Sequence, residues 1–325
     1  MKFKHTFHVF VDNFSVIYKQ LLYRLIIAVI AFLISWGCLT PFITEFINSQ
    51  AFNSLTSGIG SFVSELLQGH VDMLAQISSN ISVAYEQVLD LLNTRMTQIV
   101  LTAILLLFVY IVQKWFTGLG NYTTAVIIND KMALRKTSPF INTLISHFKE
   151  AAIYNLIYAP LTVLYDVAIA VALIAVLFFM LNGMGYLFIS IFLFMLIMIA
   201  SIGVKMTFTC DWLPALIRGK MGQKKSIIYT FSRKNKNTIN VYSNFIVLEL
   251  IILAINVMAF FFTLGVGLLI TIPASYVILL CFEMVNYYDS KELKYFLDKY
   301  TIIKSEKERV ITREQFFRGD DSDED

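Results

Sequence analysis

Asp166, Lys205, Glu249 and Glu283 fall inside long apolar runs of this sequence, and their chemistry needs explaining first. A charged side chain at the centre of a bilayer-spanning helix costs roughly 2.5–3.5 kcal/mol on the insertion scale, and less toward the interface. Each must therefore face a bundle interior or water and find a partner. A carboxylate there can serve as a protonatable gate, as a cation ligand, or as the acceptor of a lysine. Asp166 and Glu249 are the candidates for the first two roles, and Lys205 is the cation for the third. Tyr154, Asn155, Tyr158 and Asn256 stand at similar sequence depth and equally supply a hydrogen-bonded structural network. Asp166, Glu249, Glu283 and Lys205 together make up the candidate intramembrane polar site.

Other chemistry is opposed by residue type and spacing. His5, His8, His70 and His147 lie outside the apolar runs and divide between the two sides of the expected topology, so they assemble no multi-histidine metal centre. Cys38, Cys210 and Cys281 lie in or beside apolar runs with neither paired nor ligand spacing, and read as packing residues. There is no glycine-rich P-loop, nucleophile elbow or HExxH. The reading is a non-enzymatic chain without cofactor or bound metal.

The elements that must position these residues follow from composition. Of 325 residues, 57% are apolar and 15% charged, against about 25% charged in soluble proteins; mean hydropathy is +0.68. A helix needs about 20 apolar residues to cross a bilayer. Six stretches qualify: Leu22 to Ile43, Gln98 to Gly118, Ala152 to Leu181, Met184 to Phe208, Asn240 to Thr263 and Gly265 to Tyr288. The fold class is therefore all-α, a polytopic bundle of six transmembrane helices. Asn182-Gly183-Met184-Gly185 and Leu264-Gly265-Val266-Gly267 leave room only for tight turns through glycine, making spans three and four, and five and six, into hairpins.

Charge sets the orientation. Lys2, Lys4 and Lys19 precede the first span; Lys114, Lys131, Arg135, Lys136 and Lys149 are assigned to the link between spans two and three; seven more positive residues separate spans four and five. The segment between spans one and two holds Arg95 against Glu65, Asp72, Glu86 and Asp90. Positive residues stay on the cytoplasmic side, so a plasma-membrane protein with both termini in the cytoplasm is expected.

Outside the spans, Phe3, Phe7, Phe10, Phe14 and Ile17 repeat at helical spacing. They predict an amphipathic helix over residues 1–21, lying on the inner leaflet or packed against the protein's own cytoplasmic face. Residues 22–290 form the membrane domain. Within it the outer segment 49–97 is amphipathic, with a break expected at Ser78-Ser79-Asn80; it caps the bundle, self-associates or docks a protein partner. The segment 210–239 is basic, with Arg218, Lys220, Lys224, Lys225, Arg233, Lys234 and Lys236 interleaved with Ile227, Ile228 and Phe231 and no acid between Arg218 and Lys236. Each lysine or arginine near an anionic membrane surface contributes about 1 kcal/mol. Anionic membrane lipid of the cytoplasmic leaflet is thus the expected partner, and nucleic acid is not, since the run is tethered to two spans and carries no motif. Residues 291–325 form a cytoplasmic tail: Leu293, Phe296, Leu297 and Tyr300 predict an amphipathic turn of helix, and Asp320 to Asp325 a solvated acidic end.

Depth along the helices groups the four charges. At about 1.5 Å per residue, Asp166 and Glu249 lie about 22–24 Å below the outer turns, Glu283 about 27 Å and Lys205 about 33 Å, all in the inner third. The two hairpins also correspond to each other, each entered by an amphipathic Phe-containing segment, as an internal repeat would be.

Asp211-Trp212-Leu213-Pro214-Ala215, the Ser226 to Lys236 entry, Gly265-Val266-Gly267 with Ile272-Pro273, and the exit Tyr287-Tyr288-Asp289 carry a resemblance. Between Phe148 and Asp289 the chain resembles a loosely defined group of bacterial multi-helix membrane proteins. That group includes the membrane domain attached to some glycerophosphodiester phosphodiesterases. The resemblance implies a fold and a location; no phosphodiesterase domain follows, so that activity is not implied. The functional expectation is a scaffold or accessory subunit on anionic lipid. The alternatives are a transporter or lipid-handling protein using the buried acids, and, last, an intramembrane enzyme.

Overall fold

A computed structural model gives the structure of the protein and describes residues 2–68, 82–83, 85–90, 92–184, 187–232, 238–297, 301–304 and 309–312. The long apolar runs become helices because, in lipid, only a helix satisfies every backbone donor and acceptor within the segment. In chain order these are α1 Lys2–Asp12, α2 Phe14–Ile47, α3 Gln50–Gln68, α4 Met96–Met132, α5 Phe140–Ser146, α6 Phe148–Met184 and α7 Leu187–Thr209. There follow α8 Trp212–Ile217, α9 Gln223–Ser232, α10 Thr238–Thr263 and α11 Leu268–Ser290. Among the described residues six helices are long and apolar enough to cross a membrane, so the chain is an all-α multi-pass bundle. The proline at 160 and that at 273 are both carried inside continuous helices. Between α10 and α11 the chain turns at Gly265 with φ +90°, a backbone conformation open to glycine at little cost.

Contacts divide the chain into two compact units, Met1–Ile26 with Lys114–Asp325, and Ile27–Gln113. The second unit holds most of α2, α3 and the first half of the apolar run of α4. Phe42 and Phe46 stack one helical turn apart, Phe46 tilts against Phe52, and Arg95 pairs with Glu45. The helix α3 appears where the amphipathic spacing predicted one, whereas the expected break at Ser78-Ser79-Asn80 lies outside the described residues.

The core of the first unit gathers at the end where α1 meets the last turns of α11. Cys281, Phe282, Val285 and Tyr288 of α11 are almost wholly buried there, with Ile128 and Met132 of α4 and Trp212 of α8. This makes α4 a helix of two characters. Its apolar first half is open to the surroundings, and its second half, Gly118–Met132, is buried despite carrying Asn121, Thr123, Thr124, Asn129 and Asp130. The span expected to end at Gly118 is thus a longer helix, and Lys114, assigned by its charge to a link, lies inside it. Two glycines make the second half possible: a Cβ at Gly118 would fall 1.8 Å from Asn155 Oδ1 of α6, and one at Gly120 would fall 2.7 Å from the Tyr23 ring of α2. Two neighbouring helices therefore reach the backbone of α4 within three residues.

The N-terminal stripe is a helix, and part of it packs against the protein itself. Phe3 stacks on Phe282 at 5.8 Å. The most buried face is offset from the aromatic one, with Thr6, Val9, Asn13, Ile17 and Gln20 at 0–1% exposure and Phe14 at 43%. Asn13 separates α1 from α2: its Nδ2 donates to the Val9 carbonyl at 2.8 Å, and Lys131 Nζ donates to the Asp12 carbonyl at 2.6 Å. The lysine satisfies a carbonyl at the helix end, whereas the Val9 carbonyl also accepts the Asn13 backbone N–H at 3.1 Å.

After α11 the chain forms a small antiparallel sheet, β1 Tyr295–Phe296, β2 Thr301–Lys304 and β3 Arg309–Thr312, in the order β1-β2-β3. This corrects the expected turn of amphipathic helix: Phe296 lies in a strand, and Tyr300 lies outside the described residues. The helical spacing of Leu293, Phe296, Leu297 and Tyr300 is outweighed by the β-branched runs Thr301-Ile302-Ile303 and Val310-Ile311-Thr312, which fit a pleated surface. Tyr295 is fully buried. Its hydroxyl donates to Asp289 Oδ1 at 3.0 Å, so the 3.0 Å contact with His5 Nδ1 requires that nitrogen to be the donor.

Candidate functional site

The helix ends explain why Asp166 and Lys205 meet. Asp166 stands 18 residues before Met184, and Lys205 stands 18 residues after Leu187. In an antiparallel hairpin the two are therefore level, each about 27 Å from the turn. Counting from the turn residues themselves had separated them by some 10 Å. Lys205 Nζ donates to Asp166 Oδ1 at 2.6 Å, and Lys114 Nζ of α4 approaches Asp166 Oδ2 at 3.4 Å. Both carboxylate oxygens are thus engaged, by lysines from two different helices.

Glu249 of α10 joins the group through Lys205, with which it interacts electrostatically. The approach of α10 to α7 is close because Gly203 lacks a side chain: a Cβ there would lie 2.7 Å from Ile246 Cδ1 and 3.2 Å from the Tyr242 ring. Lys114, Asp166, Lys205 and Glu249 bring two cations and two acids from four helices, a formally neutral set. Side-chain exposures are 18% for Lys205, 24% for Asp166 and 36% for Lys114, so the set is partly wet rather than dry. No nucleophile or imidazole is part of it, and among the described residues no group of three or more His, Cys, Asp or Glu is arranged to hold a metal. What it can do chemically is tie α4, α6 and α7 together through the two ion pairs of Asp166.

Glu283 does not belong to this group. It is 7% exposed on α11 and interacts instead with Asp211, Tyr154 and Tyr158. Tyr154 and Tyr158 stack at 5.1 Å, and the fully buried Trp212 meets both edge-on at 5.3 and 5.7 Å. Asp211-Trp212-Leu213-Pro214-Ala215 is buried throughout. This motif packs the centre of the unit. Of the other depth-matched residues, Asn155 donates to the Ala151 carbonyl at 2.8 Å, and Asn256 lies 3.4 Å from Ser275 Oγ.

The basic segment divides into residues turned inward and residues turned outward. The Arg218 guanidinium lies 5.3 Å over the Tyr288 ring. Lys220, Lys224 and Lys225 are exposed; Arg233, Lys234 and Lys236 lie outside the described residues. The α9 helix buries Ser226 and Thr230 on one side and exposes Lys224, Lys225, Ile228 at 65% and Phe231 at 51% on the other. Lysines and large apolar groups therefore share one outward face.

Sequence reasoning missed Lys114 and Arg24. Arg24 Nη2 donates to Asn121 Oδ1 at 2.7 Å, and its Cζ lies 3.5 Å over the Tyr276 ring. Its signal was present: an arginine two residues inside the apolar run that starts at Leu22.

No family model, curated protein or solved structure matches this chain.

Proposed function

We propose that this chain is a non-enzymatic integral protein of a bacterial plasma membrane, with both termini cytoplasmic. It acts as a scaffold or accessory subunit, and its basic segment lies on anionic lipid of the cytoplasmic leaflet. The single observation that carries this reading is the outward face of α9, where Lys224 and Lys225 stand beside exposed Ile228 and Phe231. Exposed aromatic and aliphatic side chains next to lysines suit the boundary between headgroups and acyl chains, where the apolar groups enter and the ammonium groups meet phosphate. A structural role for the charged group is supported by the engagement of both Asp166 oxygens by lysines. A transport role would instead call for a path reaching a free carboxylate. The exposed Ile59 and Val63 of α3 supply apolar area for a protein partner or a second copy.

The test is an environment-sensitive fluorophore on Ile228→Cys, in a chain whose three native cysteines are serine, reconstituted into sealed vesicles. Emission shifts to shorter wavelength when phosphatidylglycerol is added to phosphatidylcholine. Lys224→Glu with Lys225→Glu abolishes that shift, because reversing two charges removes attractions of about 1 kcal/mol each and replaces them with repulsion. Emission identical in both lipid mixtures would refute the placement of α9.

A further inference from the structure

Arg24 carries an unresolved charge. Its guanidinium is only partly exposed, and its neighbours are neutral: the Asn121 amide, the Gln20 amide bound to the same Asn121 oxygen at 2.8 Å, and the Tyr276 ring. Among the described residues no carboxylate pairs with it, whereas Lys114 and Lys205 meet Asp166, Lys131 meets Asp12 and Arg95 meets Glu45. Two polar atoms at the site, Arg24 Nε and Gln20 Oε1, are buried without a hydrogen-bond partner. A guanidinium is always charged and offers a planar fork of donors, and burying such a charge is costly unless an anion accompanies it. The lipid-facing surface begins beside it, with Leu22 62%, Leu25 45% and Ile26 58% exposed.

We propose that Arg24, steadied by Asn121 and Tyr276, binds the phosphate of a phospholipid headgroup at the boundary where α2 enters the bilayer. The phosphate oxygens take the Nη–H donors that Asn121 does not use, in a two-point contact, the geometry for which arginine suits oxyanions better than lysine. The neutral Asn121 is part of the design, since an aspartate in its place would neutralise the guanidinium from within. The site shares no residue with α9, so either lipid contact can fail while the other stands.

The measurement is thermal unfolding of the delipidated full chain in neutral detergent, with phosphatidylglycerol or inorganic phosphate added separately, alongside native mass spectrometry of retained lipid. The wild-type chain is stabilised by the phospholipid and not by inorganic phosphate. Arg24→Lys, which keeps the charge but loses the fork, weakens lipid retention about tenfold. Asn121→Asp supplies the missing carboxylate beside Nη2; it folds at least as well without lipid and loses the lipid-dependent stabilisation. Lys224→Glu with Lys225→Glu leaves retention at this site unchanged. Equal stabilisation by inorganic phosphate would overturn the lipid as the source of the anion. Wild-type lipid retention in Asn121→Asp would overturn the site itself.

Discussion

Asp166→Leu is expected to lower the unfolding free energy by about 2–3 kcal/mol, at or below the low end of the roughly 3–5 kcal/mol for breaking buried ion pairs because this one is partly wet. The substitution leaves Lys205, 18% exposed, and Lys114 facing one another across the space the carboxylate held, with Glu249 the remaining acid of the group. The lost attraction is the smaller part of the cost; the larger part is the desolvated ammonium left without its counter-charge. A second substitution distinguishes this from a simple packing defect. Lys205→Met in the Asp166→Leu background is expected to restore part of the loss, because it removes the stranded charge. The two single effects then exceed the double effect by 1 kcal/mol or more, on the order of couplings seen within charge networks. Resistance to denaturing detergent, measured across the four chains of the cycle, supplies the numbers. Additive effects would mean that the 2.6 Å contact contributes little.

Gly118→Ala is expected to cost about 3 kcal/mol, at the upper end of the range for overpacking. The new methyl would lie 1.8 Å from Asn155 Oδ1 and 2.5 Å from its Cγ. Asn155 is fully buried and held by its bond to the Ala151 carbonyl, so it has little freedom to withdraw. Close approach of helices through small residues is a principal source of association where lipid removes the hydrophobic drive between them. Pairing Gly118→Ala with Asn155→Ala opens the space that the methyl needs, so the double variant should unfold close to Asn155→Ala alone. The same unfolding measurement reads this cycle, and a double variant as unstable as the sum of its parts would place the strain elsewhere.

The legible parts of this fold were those governed by one-dimensional quantities. Run length gave six helices, glycine gave the α10–α11 turn at Gly265, and residue type singled out Asp166 as an acceptor for Lys205, although the depth count set them about 10 Å apart. The misplaced parts were those where burial overrides composition. The second half of α4 carries six amides, hydroxyls and acids within Gly118–Met132 and reads as a link, yet α1, α6 and α11 enclose it, and Tyr288 donates to Asn129 Oδ1 at 2.9 Å inside the core. Lys114 was misassigned for the same reason, and with it one helix of the charged group was lost. Glu283 shared its depth with Glu249 but not its direction, which periodicity along a single helix does not reveal. The N-terminal helix was recognised from its phenylalanines, while the face buried most deeply mixes Val9 and Ile17 with the polar Thr6, Asn13 and Gln20, which hydrophobic spacing does not mark.

The proposed placement of α9, the termini and the charged group all depend on which side of the membrane each link occupies. Single cysteines at Ser57 of α3 and Lys225 of α9, in a chain with its native cysteines replaced and sealed in vesicles of known orientation, measure this directly with an impermeant thiol reagent. The account predicts that the reagent reaches one position from outside and the other only after the vesicles are opened, with Lys225 on the side of both termini. Labelling of both positions from the same side would contradict it.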